Sequence, residues 1–133
     1  MAALRSSRWA TFLDAQQSHK LPMFTLGWNA DYPDPHNFAF PFLHSQGNYP
    51  VVQRWKSPDA DLLVERGIKE TSLPRRKEIY RKLQRLAYDE VPHIVIVDTV
   101  RYRAARSWVK GFVANPIFPD SPHGSWFYTL SKQ

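Results

Sequence analysis

Residues Phe24 to Pro35 read FTLGWNADYPDP, and the rest of the chain is arranged around them. Phe24, Leu26 and Trp28 alternate along one side, the period of a half-buried strand, which predicts a strand over 23–28. The pattern stops at Asp31-Tyr32-Pro33-Asp34-Pro35, because each proline lacks an N–H and restricts the residue before it. A strand that ends in a rigid turn delivers an indole, an amide and a carboxylate to one place, where a ligand could meet them. Asp31 then has two readings. Shielded by aromatic groups beside Trp28 and Asn29, it would pair with a ligand ammonium more strongly than an open surface carboxylate does. Alternatively, it caps the Tyr32-Pro33 turn through its own backbone.

Upstream, a helix is expected over 6–17, with Trp9, Phe12 and Leu13 at i, i+3, i+4 spacing as core residues. His19-Lys20-Leu21-Pro22 breaks it. Downstream, residues 29–58 read as a long loop punctuated by proline and holding Phe38, Phe40, Phe42, Tyr49 and Trp55; the Phe38/Phe40/Phe42 alternation also suits a short extended segment. These aromatics either seal the loop onto the core or stack on sugars or bases. Ser57-Pro58 marks a helix start, a serine able to accept from the first N–H groups followed by a proline suited to the first turn. Ala60, Leu63, Val64, Gly67 and Ile68 form an apolar stripe behind it. A second start at 71–74 leads into Ile79, Tyr80, Leu83, Leu86 and Ala87, and the two stripes together predict a helical hairpin. The β-branched run 91–97 reads as a strand covered on both faces. Residues 99–105 suggest another strand or extended segment, 108–112 and 115–122 irregular chain, and 125–130 a final strand.

The composition of the 133 residues, 43% hydrophobic and 14% aromatic, supplies one domain with a core and argues against disorder. A formal charge of +6 points to polyanions. Arg75, Arg76, Lys77, Arg81, Lys82 and Arg85 surround one predicted helix, either as a solvated face or as a nucleic-acid surface. The absence of cysteine excludes disulfides, thiolate metal sites and a cysteine nucleophile. The N-terminal residues lack the apolar run of a signal peptide, and no stretch reaches the roughly 20 apolar residues of a membrane span, so the chain as written is expected to stay in the cytoplasm. His36 near Asp31 and Asp34 offers zinc or nickel ligands in principle, but the spacing matches no template. There is neither a phosphate-binding glycine loop nor a nucleophile elbow, and Ser, His and Asp are too scattered for a triad. No catalytic residue, metal or cofactor is expected.

The order of these motifs is informative. Gly27 to Pro35, Lys56-Ser57-Pro58 with its helix, Arg75 to Tyr88 around Tyr80, Val91-Pro92 before an apolar run, Trp108-Val109-Lys110-Gly111-Phe112 and Phe127-Tyr128-Thr129-Leu130 together resemble the C-terminal portion of the extracellular solute-binding protein family 5. These are peptide- and nickel-binding receptors of ABC importers, with two α/β lobes of the periplasmic-binding-protein type II kind that close around a ligand and hand it to a permease. The resemblance implies an α/β unit, incomplete on its own: a helix, a hinge strand, a helical hairpin and further strands. It implies that residues 1–98 form part of the second lobe and that 99–133 return across the hinge to the first. Peptide ligands in such receptors pair with receptor strands and present their amino terminus to an aspartate. That aspartate is implied here at Asp31, with the backbone of Trp28, Asn29 and Ala30 as the peptide's edge. The implied function is non-catalytic peptide binding for an importer, in the periplasm or outside the cell. A small basic nucleic-acid-binding protein using Arg75 to Arg85, or a remnant without independent activity, is the alternative. Family members are several times longer and carry a secretion signal, so a truncated chain is expected. Trp108, Phe112, Trp126, Phe127 and Tyr128 would then be left facing water, and self-association follows as an expectation.

Overall fold

A computed structural model describes residues 5–97, 104–113 and 129–132. Five helices and a two-stranded ladder are present among them: α1 (Trp9–Gln17), α2 (His36–Leu43), α3 (Asn48–Gln53), α4 (Pro58–Lys69), α5 (Leu73–Glu90), β1 (Val109–Lys110) and β2 (Ser131–Lys132). The unit is α/β in content and dominated by helix.

The hairpin of α4 and α5 is its frame. Ser57 Oγ caps α4, accepting from the Ala60 N–H at 3.5 Å, and donates to Glu90 Oε1 at 3.1 Å, so one buried hydroxyl ties the start of α4 to the end of α5. Asp59 and Asp61 in the first turn of α4, with Arg66 and Lys69 in its last, complement the helix dipole. Ala60 and Val64 are fully enclosed and Leu83 nearly so; Ala39 and Leu43 from α2 complete the core, with Phe40, Phe42, Trp55, Leu63, Tyr80, Leu86 and Ala87 around it. Close approach of the hairpin depends on Gly67, where an added Cβ would lie 2.9 Å from Tyr80 Cζ. The turn between α2 and α3 similarly depends on Gly47, whose Cβ would run into the Phe40 carbonyl.

Several sequence expectations are corrected. Residues 29–58 contain two helices, not one long loop, and Phe38, Phe40 and Phe42 lie on α2. Pro41 sits inside that helix, whose short length leaves little hydrogen bonding for a proline to interrupt. No strand forms over 23–28: the segment runs extended but has no ladder partner among the described residues. The run 91–97 is likewise not a covered strand. Ile94 to Val97 are 71–80% exposed, because nothing described packs on either face. Val109–Lys110, read as irregular, is β1 and pairs antiparallel with β2, Val109 opposite Lys132 and Lys110 opposite Ser131. The final pairing thus lies beyond 125–130, of which 125–128 fall outside the described residues, as do 99–103 of the extended segment expected over 99–105. Trp9 is 61% exposed and Phe12 and Leu13 are half-buried. Instead of joining the core, α1 makes an aromatic edge of its own, Trp9 stacked on Phe12 at 5.6 Å and Phe12 edge-on to Phe24 at 5.9 Å.

Candidate functional site

The extended segment 24–30 runs along the aromatic side of α2 and α3. Trp28 stands edge-on to Phe42 at 5.8 Å and to Tyr49 at 6.0 Å, so its ring is held while one side stays accessible. Its indole Nε1 donates to Asn37 Oδ1 at 3.1 Å. The Asp31 N–H donates to the same oxygen at 3.0 Å, and Asn37 Nδ2 donates back to Asp31 Oδ2 at 3.3 Å. The sequence-nominated residues are therefore contiguous along one edge: Trp28 and Ala30 half-buried, Asn29 and Asp31 exposed. Asp31 does not close the turn through its own backbone; the turn carries a hydrogen bond from the Asp34 N–H to the Tyr32 carbonyl at 2.8 Å.

Asp34 performs the local structural work. Its Oδ1 accepts from the His36 N–H at 2.8 Å, at the start of α2, and from Arg76 Nη2 on α5 at 2.6 Å. Arg76 also donates through Nε to the Gly67 carbonyl at 2.9 Å and lies over the Tyr80 ring at 5.2 Å. One guanidinium thus joins the proline turn, the end of α4 and the face of α5. The hydrogen bond from Arg76 holds the Asp34 carboxyl below its ordinary pKa against an opposing effect of burial, and the guanidinium is raised in return. Burial lowers the His36 imidazole, with the Asp34 carboxylate pulling the other way, and His36 Nδ1 is buried without a hydrogen-bond partner. Beside these groups an open cleft of about 470 Å³ is lined by Tyr32, Asp34, His36, Ile68, Leu73 and Arg76 among others.

The possible metal grouping of His36 with Asp31 and Asp34 does not come together: no group of three or more histidine, cysteine or acidic residues suited to a metal exists among the described residues. Nor is any described helix long and apolar enough to cross a membrane. The basic face of α5 is smaller than the sequence suggests. Arg76 turns inward, while Arg81 and Arg85 pair at 3.1 Å with Glu78 and Asp89 on the same helix.

The sequence does not single out Asn37; it offers Asp34 only beside His36 and Asp31 as a possible metal ligand, and Arg76 only as one of six basic residues around a helix. Asp34-Pro35 has the same form as Ser57-Pro58, a short oxygen-bearing side chain before a proline at a helix start. The signal was present but obscured by Pro41 and by the even spacing of the phenylalanines. Nothing local to Arg76 distinguishes it from its five basic neighbours on α5.

Over 116 residues the chain is 25% identical to the di/tripeptide-binding protein 4 of Pseudomonas aeruginosa, covering 86% of this chain and 22% of that protein. It is 31% identical over 104 residues to the probable ABC transporter periplasmic-binding protein SapA of Escherichia coli, covering 74% of this chain and 18% of the relative. It is 24% identical over 109 residues to the periplasmic oligopeptide-binding protein OppA of Haemophilus influenzae, covering 82% and 20%. The chain thus spans about a fifth of the length of the curated relatives it matches. No family model and no solved structure matches it.

Proposed function

Because this chain is a relative of the peptide-binding receptors of ABC importers, the extracellular solute-binding protein family 5, we propose that it supplies part of a peptide-binding lobe. It binds without catalysis, and Asp31 takes the ligand's terminal ammonium. The observation that carries this reading is an exposed carboxylate, oriented by a buried amide, at the end of an extended edge lined by a partly accessible tryptophan. An ammonium brought to Asp31 exchanges water for a charge-assisted hydrogen bond. The peptide backbone then runs along Trp28, Asn29 and Ala30. A single lobe shields only one side of the ligand, so weak binding is expected.

In the finer reading, residues 1–98 belong to the second lobe, 99–133 return toward the first, and the complete receptor acts in the periplasm and delivers peptide to a permease. Self-association is part of the same proposal. Ile94 to Val97 are strongly exposed, and Trp108 and Phe112 are 45% and 47% exposed, leaving apolar surface that a second copy could cover. Trp126, Phe127 and Tyr128, named for the same role, lie outside the described residues. Light scattering giving a monomer at micromolar concentration would refute the self-association. The binding reading is tested by calorimetry with trialanine and N-acetyl-trialanine. Preference for the unblocked peptide is expected; equal affinity for the two would overturn the ammonium role.

A further inference from the structure

Asn37 is 5% exposed, yet its side chain makes three hydrogen bonds. Two of its partners, the Trp28 indole N–H and the Asp31 backbone N–H, can only donate. The amide oxygen must therefore face them, which fixes the orientation and turns Nδ2 toward the Asp31 carboxylate. One buried side chain sets the backbone of residue 31, one oxygen of its carboxylate and the indole of residue 28 together, while the carboxylate itself remains exposed.

We infer that Asn37 is the positioning residue for recognition of peptides with an unblocked amino terminus; this rests on the reading of Asp31 as the ammonium anchor. Oδ2 is tied to the amide, which restrains the carboxylate's rotation at an exposed position where an incoming ammonium can meet it. An aspartate without that tie rotates about both side-chain torsions, and its carboxylate can turn to the N–H groups of the following proline turn. Asn37 therefore acts on the discrimination between free and blocked peptides, beyond any contribution to folding.

The whole chain is titrated calorimetrically with trialanine and with N-acetyl-trialanine, as wild type, as Asn37→Ala and as Asn37→Ser. Loss of a hydrogen bond to a charged group corresponds to roughly tenfold or more in affinity. Asn37→Ala is therefore expected to reduce the preference for trialanine by about tenfold. Asn37→Ser keeps a buried hydroxyl that can accept from the N–H donors but removes the amide that ties the Asp31 carboxylate, and its urea midpoint is measured beside its binding. Asp31 keeps its charge in both variants, and the preference should still fall by about tenfold. That separates positioning from folding and remains informative if Asn37→Ala does not fold. A preference retained in either variant overturns the role of Asn37. Equal binding of both peptides by the wild type overturns the ammonium anchor, and this inference with it.

Discussion

The bridge between Arg76 and Asp34 is the contact on which the turn carrying Asp31 depends most, and its loss can be estimated. The side chains are 19% and 31% exposed and the charged atoms lie 2.6 Å apart, so the pair stands between an exposed surface bridge and a buried one. Exposed pairs contribute about 0.2–1 kcal/mol, whereas breaking a fully buried pair costs about 3–5 kcal/mol. A coupling of about 1–2 kcal/mol between the two side chains is expected, between those limits. Arg76→Met keeps much of the aliphatic stem but also loses the hydrogen bond to the Gly67 carbonyl and the stack on Tyr80. Its total cost should therefore exceed the coupling, at about 2–3 kcal/mol. The assay is urea unfolding of wild type, Arg76→Met, Asp34→Asn and the double variant at pH 7. A coupling energy within about 0.5 kcal/mol of zero, the range found for independent sites, would refute the claim that the guanidinium locks the proline turn to the hairpin.

Alanine in place of helical glycine ordinarily stabilises by about 0.5–1 kcal/mol. Gly67→Ala should instead destabilise by about 1–3 kcal/mol, because its Cβ meets the Tyr80 ring at 2.9 Å. The sign should reverse when Gly67→Ala is measured in a Tyr80→Leu background; an unchanged sign would contradict the packing. Val91 ends α5 with φ 48°, a left-handed conformation that a β-branched residue adopts only under strain, and Val91→Gly should raise stability by about 1 kcal/mol in the same unfolding assay. Acid should weaken the fold in two windows. Burial lowers the pKa of His36 and of His93, so their contribution is complete above the unfolded value near 6.5 and is lost as pH falls through that value toward the folded one. Asp34 is lowered by the Arg76 hydrogen bond, so its contribution is complete above about 3.9 and is lost as pH falls further, through the folded value. A His36→Phe/His93→Phe chain should show a flatter stability profile between about pH 7 and 5. A slope equal to wild type would exclude both imidazoles as its source.

What the sequence made legible followed local rules. Ser57-Pro58 and the stripe through Ala60, Val64 and Gly67 identify α4 because cap and periodicity act within a few residues of chain, and Leu83 with its neighbours identifies the face of α5 that meets it. The helix α2 was obscured because Pro41 and the Phe38/Phe40/Phe42 spacing imitate an extended segment, while the core selects Ala39 and Leu43. Strand expectations failed where strands depend on partners remote in sequence. Alternation at Phe24, Leu26 and Trp28 and the β-branched run Ile94 to Val97 state which residues could lie in a sheet, but a ladder needs a second chain segment, and the described residues provide none. The site divides in the same way. Asp31 and Trp28 could be nominated from a strand-to-proline transition, whereas Asn37 and Arg76 act through contacts that only folding creates, the latter across 42 positions of chain.

The most direct measurement is an NMR titration of the isotope-labelled chain with trialanine, following backbone amides and the Trp28 indole N–H. Expected are saturable shifts confined to residues 27–32 and that indole, absent with N-acetyl-trialanine and absent in Asp31→Ala. Shifts that appear instead along the outer face of α5, or that persist unchanged in Asp31→Ala, would contradict an ammonium anchor at the end of this extended edge.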